Sequence, residues 1–383
     1  MWFAPGRANL MGEHTDYNEG LVLPFAIAQG VTASVSARDD GLLVLRSKQM
    51  PDETVSVPVA DLSPASVRGW AAYPAGVAWA LRSEGVAVPG ALIEIDSDLP
   101  VGAGVSSSAA LECAVALGLS SLAGLSMTRR ALAAVARQAE NEFVGAPTGI
   151  IDQHASLLCE AGHAMLLDCA TRSITQVPFR PSAAGVIALI IDTGVTHALV
   201  SGDYARRRAE CEEAARQLGV PFLGQTLTVA ETSRLADPVL RRRARHVISD
   251  SARARAIATA LTSGTAPGST DPDTTAIATT TVAAWQDIYR YIGVLLTEAH
   301  ASLRDDFEVS WAEADVTVDT VLTAGAFGAR MVGGGFGGSV LALVPASRAA
   351  EVRAAVSAAF AQRGWTPPQF LDAVPSAAAR RLV

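Results

Sequence analysis

The chain has 383 residues, half of them hydrophobic, and a formal net charge of −8. That length buries a substantial core and suits two domains or one large one, while the acidic balance argues against a general role on nucleic acid or membrane surfaces. No apolar stretch reaches the ~18 residues that span a bilayer and no basic-then-apolar leader opens the chain, so a soluble cytoplasmic protein with no nucleic-acid or membrane partner is expected. Cys113, Cys159, Cys169 and Cys211 have neither paired nor zinc-like spacing and read as reduced, buried thiols.

In chain order, residues 4–24 come first and carry the most information. They place Arg7, Asn9, Glu13, His14, Asp16, Tyr17 and Asn18 among Gly6, Gly12 and Gly20. The stretch is too polar for a core strand and too glycine-punctuated for a helix. An N-terminal polar hairpin would account for any one of these residues. Converging carboxylates, an arginine and a histidine on a stiff loop together suit a small polyhydroxylated ligand. Residues 31–37 then alternate with period two, as roughly do 43–46, and 54–58 form a short strand that Pro58 confines to an edge or an end. Residues 70–82 turn helical, with Trp70, Tyr73, Val77 and Leu81 at three- and four-residue steps; Trp70 reads as core or groove packing.

Residues 91–98 form a strand that runs into Leu99-Pro-Val-Gly-Ala-Gly-Val-Ser-Ser-Ser-Ala-Ala-Leu-Glu112, with an apolar helical run to Leu122. A strand, a Gly/Ser turn and a helix aim free backbone N–H groups at a phosphate. Gly102, Ala103, Gly104 and Val105 form the turn, and Ser106, Ser107 and Ser108 cap the helix and supply hydroxyls. No lysine follows the last glycine, so this is not a Walker loop. A helix is expected over 127–143, its apolar stripe containing Leu132, Val135, Ala136, Ala139 and Phe143. At 100° per residue Glu140 falls on that stripe and Glu142 on the far side. A carboxylate there needs a partner, either a magnesium ion or an arginine. In residues 147–153 apolar neighbours flank a single acid, Asp152, whose charged form needs a nearby cation. His154 beside it reads as structural. Residues 186–192 are a continuous apolar run suiting a buried strand. Arg206, Arg207 and Arg208 read as a solvated helix face or a set of salt bridges, and an arginine-rich helical stretch covers 232–262. Residues 263–282, rich in Ser, Thr, Pro, Gly and Asp, are expected to be a mobile surface insertion. Near the C-terminus, Gly328-Ala-Arg-Met-Val-Gly-Gly-Gly-Phe-Gly-Gly-Ser339 reads as a turn approached closely by other backbone, followed by a strand.

Residues 6–20 closely resemble the galactokinase signature, which belongs to the GHMP sugar and metabolite kinases. Residues 100–109 are similar to that superfamily's P-x-G-x-G-L-S-S-S-A pattern, with Val101 and Val105 as mild changes. Residues 145–154 look like the family's P-C-G-I-M-D-Q element, with Thr148 in place of the usual cysteine. Residues 193–211 and the glycine loop at 328–344 match as well, so the resemblance runs nearly end to end. Ahead of its signature the family usually has a short segment; if the chain is complete an edge strand or cap is missing, and the alternative is a misassigned start codon.

The resemblance implies an α+β, two-domain GHMP kinase fold divided near residue 180, into 1–180 and 181–383, with the active site in the cleft. It implies ATP-dependent phosphorylation of D-galactose at C1, with magnesium on Ser108 and Glu140 and the phosphates at residues 102–108. Trp70 is implied to lie near the adenine. Asp152 and Arg7 are the implied catalytic pair, Asp152 as proton acceptor or as electrostatic orienter. Glu13, His14, Asp16, Gly149 and Tyr204 are the implied sugar contacts, and a monomer is expected. Two alternatives remain open at this point: a kinase for N-acetylgalactosamine or arabinose, and a catalytically silent sensor of galactose and ATP. The intact phosphate turn, with Asp152 and Arg7 both present, argues against the sensor.

Overall fold

The computed structural model of the protein describes residues 1–100, 104–146, 148–196, 202–224, 227–266 and 281–382. Its first half contains β1 (Trp2–Asn9), β2 (Leu21–Val22), β3 (Pro24–Arg38), β4 (Leu42–Ser47), β5 (Met50–Pro58), α1 (Ala72–Ser83), β6 (Gly90–Ser97), α2 (Ser107–Leu122), α3 (Arg129–Gln138), α4 (Ile151–Leu158), β7 (His163–Asp168) and β8 (Ile174–Pro178). The second half contains β9 (Val186–Asp192), α5 (Asp203–Leu218), α6 (Pro238–Ser263), α7 (Val282–Asp305), α8 (Ala312–Thr323), β10 (Gly328–Val332), β11 (Ser339–Pro345), α9 (Ala349–Arg363), β12 (Gln369–Asp372) and β13 (Arg380–Arg381).

A six-stranded sheet runs in the order β13-β1-β3-β6-β4-β5, all antiparallel except the β4–β6 pair. As the proline at its end requires, β5 is an edge strand. Helix α2 lies across β1 and β3 with α1, α3 and α4 beside it. The alternation in β3 buries Val31 and Ala33 while Ser36 faces solvent. Further back, Phe25 and Ile27 join the main core and Ala26 joins a separate cluster with Ile151 and Met165, because α4 and β7 cover the opposite face.

The second sheet, β10-β11-β9-β12, is antiparallel throughout. Ala188 and Ile190 of β9 enter the main core, whereas Leu189 and Ile191 enter a cluster with α5, α6, α8 and α9. Burial on both faces explains why this strand reads as unbroken apolar sequence. A third sheet, β2-β7-β8, closes the first half. The last residues then return to the beginning. The N–H groups of Ala379 and Ala378 donate to the carbonyls of Ser156 and Cys159 at the C-terminal end of α4, at 2.8 and 3.0 Å, and β13 pairs with β1. Those carbonyls have no partner within the helix itself, so the tail completes it.

Three boundaries differ from expectation. The helix predicted over 127–143 is α3 followed by a π-helical turn, Ala139–Val144, ended by Gly145 in a left-handed conformation. The helical stretch over 232–262 divides into a 3-10 turn, Val229–Arg234, and α6. The expected insertion is shorter at both ends: Ser263 closes α6, and the Thr281 hydroxyl accepts from Ala284 N–H to cap α7. Its residues 267–280 lie outside the described residues, as do Gly102 and Ala103. All four cysteines are buried and unpaired. Among the described residues no helix is long and apolar enough to cross a membrane.

Candidate active site

The polar first loop, the Gly/Ser turn, the start of α4, the start of α5 and the glycine loop after β10 converge on a cavity of about 340 Å³. That size is at the lower end of the range for small-molecule sites. Its floor begins at β1, whose register shifts between Pro5 and Arg7. A Cβ on Gly6 would meet the Val105 carbonyl and the Leu99 side chain at 2.7 Å. Only glycine lets the phosphate turn approach this closely, and Arg7 N–H donates to Val105 O at 3.1 Å. The turn and Arg7 are thereby locked together.

Arg7 Nε and Nη2 each lie 2.9 Å from Asp152 Oδ1, while Arg7 Nη1 donates to Gly104 O at 2.6 Å. The other carboxylate oxygen of Asp152 accepts from Ser106 Oγ at 2.5 Å. Ser106 precedes α2 with φ of 60°, and Asp152 stands in the first turn of α4, near the positive end of that helix. Arg7 and Asp152 thus pair, as expected of them, with the Gly/Ser turn attached to both.

Glu140 is 3% exposed and faces the cavity from the π-helical turn. Its Oε1 accepts from Ser108 Oγ at 2.8 Å, and its Oε2 from Thr148 Oγ1 at 2.8 Å and Gln153 Nε2 at 2.7 Å. All three donors are neutral. No lysine or arginine pairs with Glu140 among the described residues, so the arginine alternative does not hold. Burial raises its pKa, and the charge of Asp152 adds to that. Behind it the fully buried Glu112 is pushed well above the carboxylate range by burial and by Glu140. Negative charge here is short of a counterion. Among the described residues no cluster of three or more His, Cys, Asp or Glu side chains holds a metal unaided. A hard cation shared with phosphate oxygens fits the Ser108–Glu140 donor set.

The remaining walls carry carboxylates, an imidazole and a phenol. Asp16 meets Gly149, where a Cβ would sit 1.5 Å from Asp16 Oδ2, so a larger residue would displace the carboxylate. Burial pushes the Asp16 carboxyl up to about 6, and the charges of Asp152 and Glu13 contribute. His14 has its Nδ1 3.0 Å from the Tyr17 hydroxyl; burial, with His246 adding, lowers it to about 3, so the imidazole is neutral. The Tyr204 ring lies 5.3 Å from that of His14, and burial raises its hydroxyl well above the ordinary value. Glu13 Oε1 accepts from Arg330 Nη2 at 2.6 Å and from Gly333 N–H at 2.8 Å. Asp250 of α6 takes the N–H groups of Gly12 and Glu13, each at 3.1 Å.

Of the residues expected here, Arg7, Glu13, His14, Asp16, Gly104, Val105, Ser106, Ser107, Ser108, Glu140, Gly149, Asp152 and Tyr204 all line the cavity. Trp70 does not; its indole N–H donates to Glu53 at 3.0 Å. Arg206 and Arg208 pair with acids on their own helix, as read, but Arg207 is buried, donating to Phe307 O and bridging to Glu210. Arg330, Asp250 and Glu112 escaped the sequence reading. Glu112 carried a usable signal: like Glu140, it is an acid inside an apolar helical run.

Comparison with known proteins fits this geometry. Residues 1–37 match the galactokinase galactose-binding signature, residues 72–160 the GHMP kinases N terminal domain and residues 289–362 the GHMP kinases C terminal domain. A galactokinase of Streptomyces coelicolor is 46% identical, over 100% of this chain and 94% of its own length. The chain belongs to the galactokinase family. Another relative in this family, from Mycobacterium tuberculosis, is 41% identical over 95% of this chain and 94% of its own. The crystal structure of Lactococcus lactis galactokinase complexed with galactose superposes with a TM-score of 0.88 at 31% identity, covering 100% of this chain and 94% of that one. A mevalonate kinase at 14% identity and a TM-score of 0.64, covering 99% and 98%, shares the fold. The galactokinase family's α+β GHMP kinase architecture is therefore the architecture of this chain.

Proposed function

We propose that the protein transfers the γ-phosphoryl group of ATP to the C1 hydroxyl of α-D-galactose, giving galactose 1-phosphate and ADP. The observation that carries this reading is Asp152, held between Arg7 of the sugar loop and Ser106 of the phosphate turn. One carboxylate thus stands where an acceptor hydroxyl and a phosphate would meet, which is what in-line phosphoryl transfer requires. Asp152 accepts the C1 hydroxyl proton, and Arg7, beside it, also faces the charge that develops on the transferring group. Asp16, Glu13, His14 and Tyr204 hold the other sugar hydroxyls, with Gly149 clearing space for Asp16. The N–H groups at the start of α2 cradle the phosphates.

Ser108 and Glu140 would hold a magnesium ion, which when bound neutralises phosphate charge. The lack of a cationic partner for Glu140 among the described residues supports that assignment. Cavity residues come from 7–152 on one side and 202–334 on the other, which supports a division of the chain near residue 180. The test is ADP release from the purified protein with ATP, magnesium and a panel of galactose, N-acetylgalactosamine, arabinose and glucose, with the sugar product identified by phosphorus NMR. Galactose 1-phosphate as the fastest-formed product is expected. Faster turnover of another sugar would replace the substrate, and binding of both ligands without ADP release would establish a sensor.

A further inference from the structure

Thr148, in the position where the family's element has a cysteine, makes contacts that the phosphoryl-transfer reading does not use. Its N–H donates to Asn141 Oδ1 at 3.0 Å and its carbonyl accepts from Asn141 Nδ2 at 3.3 Å, so the backbone is clamped on both sides. The hydroxyl then lies 2.8 Å from Glu140 Oε2 and 3.0 Å from Asn141 Oδ1. It has one hydrogen to give. Asn141 Oδ1 already accepts the amide, and a carboxylate oxygen is the stronger acceptor, so the hydrogen goes to Glu140. Gln153 Nε2 donates to the same Oε2 at 2.7 Å. Two donors therefore occupy Oε2, while Oε1 among the described residues meets only the Ser108 hydroxyl, a rotor that can turn and present a lone pair instead.

We propose that Thr148 sets the cation preference of this site by restricting Glu140 to one coordinating oxygen. Magnesium accepts one or two carboxylate oxygens within a tight octahedron at ~2.0–2.1 Å, its other positions filled by phosphate and water. Calcium takes ~6–8 oxygens at ~2.3–2.6 Å and engages both oxygens of a carboxylate readily. With Oε2 held by two hydrogen bonds, the two-oxygen mode is blocked and magnesium is favoured. A thiol in place of Thr148 is a weak donor and would leave Oε2 held by Gln153 alone, freeing one of its lone pairs for the cation. This inference rests on the assignment of magnesium to Ser108 and Glu140.

The experiment is calorimetric titration of magnesium and of calcium into the protein saturated with a non-hydrolysable ATP analogue, comparing wild type with Thr148→Val, Thr148→Cys, Thr148→Ser and Glu140→Gln. Thr148→Val and Thr148→Cys are expected to raise calcium affinity relative to magnesium about tenfold, the scale of one hydrogen bond to a charged group. Thr148→Ser keeps the hydroxyl and should keep the wild-type ratio. An unchanged ratio in both Thr148→Val and Thr148→Cys, with cation affinity lost in Glu140→Gln, overturns this proposal and leaves the magnesium assignment standing. Unchanged cation affinity in Glu140→Gln overturns both. Should Thr148→Val not fold, the cysteine and serine variants decide the matter.

Discussion

Replacing Arg330 by methionine removes a guanidinium from a place that water does not reach. The Arg330 side chain is 0% exposed and that of Glu13 5%. Breaking such a buried pair from one side costs about 3–5 kcal/mol, because a charge is left uncompensated. The neighbours decide where in that range the cost falls. Asp250 keeps Arg253 Nη1 at 3.3 Å and two backbone N–H groups, so it is still well served. Glu13 keeps only the Gly333 N–H on the oxygen that Arg330 held. One carboxylate therefore loses its counterion, and the lower end, about 3 kcal/mol, is expected. With a urea slope of ~3 kcal/mol per molar for a chain of this size, the unfolding midpoint should fall by roughly 1 M. Galactose KM should rise as well, because Glu13 is no longer fixed. If the cost is an uncompensated charge, adding Glu13→Gln to Arg330→Met should recover about 2 kcal/mol or more. A double variant no more stable than Arg330→Met alone would show that the loss is one of packing, and the charge argument would be wrong.

Three further outcomes follow from the site. Asp152→Asn keeps the shape and removes the charge, so galactose binding should persist while kcat falls ~10²-fold or more; near-wild-type turnover would take Asp152 out of the chemistry. Gly149→Ala forces a methyl group onto the Asp16 carboxylate and should raise galactose KM about tenfold or more with little change for ATP, checked by initial-rate kinetics. Asp16 titrates near pH 6 in the folded protein against an ordinary value of 3.8, so galactose KM should rise as pH falls through 6, and Asp16→Asn should abolish that dependence. The sign for stability is opposite: a raised carboxyl pKa contributes stability that is complete below about pH 4 and lost as pH rises through about 6. His14, at about 3, stays neutral near pH 6 and does not contribute to the KM limb, but its depressed value acts on stability with the other sign, lowering it as pH falls below about 6.5.

What the sequence disclosed was mostly local. The Gly/Ser turn, the β3 alternation and the apolar β9 run depend on neighbours a few residues away, and each lies where periodicity placed it. Glu140 was assigned to the correct face although its element was not: the apolar residues 139 and 143 continue the stripe through the π-helical turn, so pattern alone does not register the change of winding. Arg330 and Asp250 show the opposite case. Their bonds to Glu13 span 317 and 237 residues, and a lone arginine in a strand or an acid in an arginine-rich helix looks like ordinary surface chemistry. Trp70 was placed near the nucleotide by likeness alone; its indole N–H donates to Glu53, a contact that no local pattern announces.

The return of the last residues onto α4 and β1 has a consequence in time. About 370 residues separate the end of β1 from β13, and at ~5–20 residues per second a ribosome needs roughly 20–75 s to make them. Throughout that interval Trp2 and Phe3, at the start of the strand bearing Arg7, present an unpaired edge, a template for unwanted strand pairing. The helix bearing Asp152 meanwhile lacks acceptors' partners at Ser156 and Cys159. Arg7 and Asp152 are encoded in the first two-fifths of these residues, yet the supports of their elements are complete only when residues 378–381 have been made. A pause in elongation anywhere before β13 emerges lengthens that interval and should lower the yield of folded enzyme.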